Sequence, residues 1–122
     1  MYDLIIRAAR LSDEQVVDIA VQDGRIAAVG RVQGSAHQER DLAGRYYLSA
    51  GWIDSHVHCY PKSPIYHDEA DAIGVAHGVT TVVDAGSTGA DHIDDFYQLT
   101  RAAQTQVYAL INIARTGIVT QN

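Results

Sequence analysis

After Gly51 the sequence alternates β-branched apolar runs with helix-forming stretches, and this alternation restricts the fold more than any other feature. Gly51-Trp52-Ile53-Asp54-Ser55-His56-Val57-His58 reads as a short buried strand. Residues 68–77 are expected to be helical, because Ala70, Ile73 and His77 recur at i, i+3 and i+7. Gly78 is placed to cap that helix. Val79-Thr80-Thr81-Val82-Val83-Asp84 is a β-branched run typical of a strand buried on both faces. Ala85 to Gly89 reads as a flexible turn. Asp91 is expected to cap a helix reaching about residue 104, with Ile93, Phe96, Tyr97 and Thr100 on one stripe. Residues 107–113 complete the pattern as a third buried strand. Strand, helix, strand, helix, strand argues for an α/β chain of parallel β/α units.

The first half follows a different rule. Leu4-Ile5-Ile6 is a strand core, and residues 17–21 alternate apolar and polar side chains. Asp23-Gly24 is a strong hairpin signal, and residues 25–30 form the return strand. Residues 33–40 are polar and read as a surface loop that contains a solvated His37. Residues 41–45 read as a turn, and Tyr46-Tyr47-Leu48 as another short strand. The chain is therefore expected to divide into a small antiparallel β segment, 1–50, and a β/α region, 51–122.

The chemistry-bearing residues lie at the end of the first strand of the second region. Residues two apart on a strand share a face, so His56 and His58 project side by side and Val57 points the other way. Two neutral imidazoles so placed can reach one metal ion at about 2.0–2.1 Å each. The alternative is a solvent-facing, idle pair. Asp54 lies one step deeper on the same face, where a carboxylate could orient a ligand. Cys59 points away from both histidines and reads as a packed thiol. Asp84 ends the next strand at the same mouth, as a substrate-binding group or as a turn-closing carboxylate. Arg115 offers a planar fork to a substrate carboxylate, or is simply solvated. His67, His77 and His92 lie on or beside the expected helices, away from the mouth, and read as structural or solvated.

Composition excludes several partners. A formal net charge of −6 disfavours nucleic acid and anionic membrane. No apolar run approaches the roughly 20 residues of a membrane span. Residues 1–4 begin no basic-then-apolar leader, and the single cysteine forms no internal disulfide, so a cytoplasmic location is expected.

The order of these stretches resembles the amidohydrolase superfamily. The resemblance rests on Asp23-Gly24-Arg25-Ile26, Asp41-Leu42-Ala43-Gly44, residues 49–58 and Gly78-Val79-Thr80-Thr81-Val82-Val83-Asp84. Residues 84–91 and 111–117 are further similar to the amidohydrolase/deacetylase branch, which is like dihydroorotase in fold. The resemblance implies the first three β/α units of a (β/α)8 TIM-type barrel, preceded by part of a small β-sandwich. It also implies one or two divalent metals, usually zinc (Zn2+), with His56 and His58 as ligands. The activity implied is hydrolysis of an amide or ester bond of a small molecule. Ala50 replaces a frequent proline. Tyr60 replaces the arginine by which dihydroorotases hold a carboxylate, which weakens the alternative of a dihydroorotase- or hydantoinase-type cyclic amidase.

Such a barrel takes about 250 residues, so the chain is expected to be an amino-terminal portion, inactive alone. A bridging carbamylated lysine, where used, lies on a later strand. Lys62, the single lysine, sits in a proline-flanked loop unsuited to that role. A non-catalytic piece that needs its missing half is the remaining alternative, and homo-oligomerisation is left open.

Overall fold

The computed structural model describes residues 1–120, in two compact units that divide between Ala50 and Gly51. Among the described residues no helix is long and apolar enough to cross a membrane.

The first unit is one four-stranded sheet of β1 (Tyr2–Arg10), β2 (Val16–Gln22), β3 (Arg25–Gly30) and β4 (Ala36–Asp41), in the order β3-β2-β1-β4. Asp23 and Gly24 both take positive φ, 51° and 70°, as a two-residue hairpin turn matched to strand twist requires. Ile5, Ala20 and Val32 form the buried core.

Three expectations are corrected in this unit. Residues 36–41 are a strand, not a loop, and β4 runs parallel to β1, so the sheet is mixed rather than antiparallel. Its polar side chains suit an exposed edge, which charged residues protect from further pairing. Arg7 ties it in place, donating to Glu39, to Asp18 and to the carbonyls of Val32 and Gly34. Tyr46–Leu48 form no strand either. Tyr47 makes a single bridge with Arg10, and its hydroxyl donates to Glu14 at 2.6 Å.

The second unit holds a parallel sheet of β5 (Trp52–Val57), β6 (Val79–Asp84) and β7 (Gln106–Ala109), in the order β5-β6-β7. Between the strands lie α1 (Ala70–Ile73), a 3-10 turn (Val75–His77) and α2 (Ile93–Thr100). Val57, Cys59, Tyr60, Ala70, Val82 and Phe96 form its core, with Phe96 carrying α2 onto the sheet.

The single helix expected over 68–77 is interrupted at Gly74, where a Cβ would collide with the Thr105 side chain and the Ala70 carbonyl. Gly78 closes the 3-10 turn in the left-handed conformation, its N–H donating to Val75 O. The second helix stops at Thr100, short of 104, and Asp91 does not cap it, because its carboxylate accepts from Arg115. The strands are also less buried than expected. β5 is exposed from Trp52 to His56, since among the described residues β6 is its only partner in the sheet. β7 ends at Ala109, leaving Leu110, Ile111 and Ile113 exposed. There the backbone turns to the loop after β6, with Leu110 N–H donating to Asp84 O and Asn112 N–H to Thr88 O.

Candidate metal centre at the end of the first parallel strand

The β5 ladder is irregular between Asp54 and Val57, and His58 lies just past the strand end. The two histidines nonetheless meet. Their ring centroids are 5.5 Å apart with planes at 83°. That separation is compatible with both rings reaching one ion at about 2.0–2.1 Å. They line a cleft of about 480 Å³ together with Tyr66, His67, Asp68 and Ile73.

His58 is the more constrained of the pair. Its Nδ1 lies 2.9 Å from Ser87 Oγ, and its ring stacks on Tyr66 with centroids 5.0 Å apart and planes at 24°. In the tautomer that donates Nδ1–H to the hydroxyl, Nε2 keeps a bare lone pair, the arrangement a metal-binding imidazole needs. His56 is exposed. The Asp54 carboxylate turns back to accept its backbone N–H at 3.0 Å rather than orienting either imidazole.

Asp84 is fully buried, and its carboxylate accepts Cys59 N–H at 2.8 Å and Ser87 N–H at 2.7 Å. Both of its oxygens are thus engaged by backbone N–H groups in a turn-closing arrangement. It joins the end of β5 to the loop after β6 and so fixes Ser87 against His58. That loop, expected to be a flexible turn, is buried from Gly86 to Gly89. A Cβ on Gly89 would strike the carbonyl of Ala114, and Asn112 Nδ2 donates to Gly86 O at 2.9 Å. Ser87 escaped the sequence reading because its importance comes from a contact across 29 residues. Its position just after β6, beside Asp84, was the available signal.

The remaining candidates separate. Arg115 Nε and Nη2 both donate to Asp91 Oδ1, at 2.9 and 2.7 Å, while most of the side chain stays exposed. His67, expected away from the mouth, lines the cleft, because an isolated bridge to Cys59 folds the chain back over the histidines. His92 stacks on Tyr60, and His77 sits exposed in the 3-10 turn. Tyr60 is buried against Phe96, and its hydroxyl donates to Asp95 at 2.8 Å, outside the cleft. Burial, then Asp95, pushes that phenol up to about 12. Lys62 also pairs with Asp95, at 2.8 Å. The Cys59 thiol is pushed up to about 12, first by burial and then by Asp84, in keeping with a packed thiol.

Among the described residues no third His, Cys, Asp or Glu groups with the histidines closely enough to complete a metal site. The pair would supply two of the three or four protein ligands that a zinc site takes.

Fold and site together define an α/β protein that presents two imidazoles at the end of a parallel strand. No protein-family model matches the chain. It is 48% identical over 122 residues to a deacetylase of Enterococcus faecalis, covering 99% of this chain and 33% of that protein. A crystal structure of an adenine deaminase superposes with a TM-score of 0.84 at 47% identity, over 100% of this chain and 33% of that one. A dihydroorotase structure superposes with a TM-score of 0.86 at 28% identity, over 98% and 33%. The chain belongs to the amidohydrolase superfamily and spans about a third of the length of these relatives.

Proposed function

We propose that this chain is the amino-terminal portion of a metal-dependent amide or ester hydrolase of the deacetylase kind. In this reading β5, β6 and β7 are the first three strands of a (β/α)8 barrel, and His56 and His58 hold zinc. The observation that carries it is the edge-to-face histidine pair in one cleft, with His58 held through Nδ1 by Ser87. When bound, the metal would lower the pKa of a water towards 7 and polarise the scissile carbonyl. The chain's own part is to bind that ion through two imidazoles, to fix one of them through Ser87, and to wall the cleft with Tyr66, His67 and Asp68. The other ligands and the proton-shuttling acid belong to a longer protein, in keeping with relatives three times this length. The 122 residues alone are then inactive. A small-molecule substrate and a cytoplasmic location complete the reading.

The test is metal content of the full-length protein. Parent protein is expected to carry one or two zinc ions, and the His56→Ala/His58→Ala double variant to lose them. Equal zinc in both overturns the assignment. The dihydroorotase superposition favours a second reading, a cyclic amidase. Turnover of dihydroorotate or hydantoins, with none of N-acyl or O-acyl substrates, would establish it instead.

A further inference from the structure

His58 is contacted from two directions, by Ser87 and by Tyr66. Ser87 Oγ meets its Nδ1 edge at 2.9 Å, and the Tyr66 ring covers its face at a centroid distance of 5.0 Å. Among the described residues His56 has no such hydrogen bond or stacked ring, and meets His58 edge-to-face.

The two supports differ in burial, Ser87 being enclosed and Tyr66 40% exposed. Ser87 is 3% exposed, and its N–H is held by the buried Asp84 carboxylate. Tyr66 belongs to a lip that doubles back after His58. Pro61 and Pro64 restrict φ along it. Ser63 N–H donates to Tyr60 O at 3.0 Å, and the Cys59–His67 bridge pins its far side.

We propose that Tyr66 and Ser87 are positioning residues that fix the His58 ring before metal arrives, so that the ordering cost is met in folding rather than in binding. The inference rests on the hydrolase reading above, deepens its account of Ser87, and gives the Tyr66 ring a role that reading does not assign. Tyr66 acts through ring stacking, so its hydroxyl is dispensable. Ser87 acts through its hydroxyl, so its backbone contacts survive in an alanine variant.

The experiment is zinc affinity of the full-length protein, measured by chelator competition, for parent, Tyr66→Ala, Tyr66→Phe and Ser87→Ala. Loss of such supporting groups typically weakens metal binding by about 10- to 100-fold. Tyr66→Ala and Ser87→Ala are expected in that range, with Tyr66→Phe within about twofold of parent. Rescue by phenylalanine separates stacking from a structural defect, as does an unchanged apo-protein urea midpoint in all three variants. A parent that binds zinc while Tyr66→Ala and Ser87→Ala match it overturns the positioning role alone. A parent without bound metal overturns the hydrolase reading, and this inference with it.

Discussion

Replacing Asp84 by alanine tests how the site is held together. The carboxylate is fully buried and accepts two backbone N–H groups, from Cys59 and Ser87, both bonds lying in the interior. Alanine would orphan both donors. A buried donor without a partner costs roughly 1–3 kcal/mol, so the pair predicts a loss of about 2–6 kcal/mol. A water drawn into the vacated space would bring the loss toward the lower figure. Asp84→Asn keeps one acceptor oxygen but turns an NH2 group toward the second donor, so it is expected to fall between parent and alanine. The assay is urea unfolding of the full-length protein, read as a shift in midpoint at constant m. Because Ser87 is anchored by the same carboxylate, zinc affinity is expected to fall by about tenfold or more in parallel. An Asp84→Ala variant that loses less than about 1 kcal/mol and binds zinc like parent would refute the reasoning.

Two further outcomes follow from the electrostatics. Ala8 N–H foremost, then Arg7 and Val32 N–H, hold the Asp18 carboxyl below its ordinary range despite partial burial. Its folded pKa is thus lower than the unfolded value of about 3.9, so its contribution is complete above that value and is lost as pH falls through the folded pKa. The urea midpoint of Asp18→Asn is accordingly expected to fall less than parent's between pH 5 and pH 2.5, and parallel pH profiles would contradict this. Cys59, 1% exposed with its thiol pushed up to about 12, is expected to resist a disulfide-exchange reagent at pH 8 until urea unfolds the protein. Rapid labelling of the native protein would show that the thiol is accessible.

What the sequence disclosed was governed by local rules. The Asp23-Gly24 turn needs two residues that tolerate positive φ, and the chain supplies them in place. The β-branched run Val79–Asp84 is a strand, and Gly78 caps the turn before it. The spacing of the histidines points to a shared site, and they line one cleft although the ladder is irregular and His58 lies past the strand end. What was hidden depends on distant partners. β4 is almost wholly polar and is a strand only because β1 offers it an edge. The break at Gly74 answers the side chain of Thr105. His67 reaches the cleft through the backbone of Cys59, and Ser87 matters through His58. Asp91, a natural helix cap by type, is taken by Arg115 from another loop.

The stitching between the segments after β6 and β7 bears on how this scaffold can change. Ser87 O accepts Ile118 N–H, Thr88 O accepts Asn112 N–H, and Arg115 O accepts Asp91 N–H. Residues 85–91 and 112–118 are therefore joined along a shared backbone seam. Grafting either loop from a cousin of different specificity leaves the other with unmatched carbonyls and amides, whereas grafting both keeps the seam intact. Evolution, or an engineer, would have to move them together.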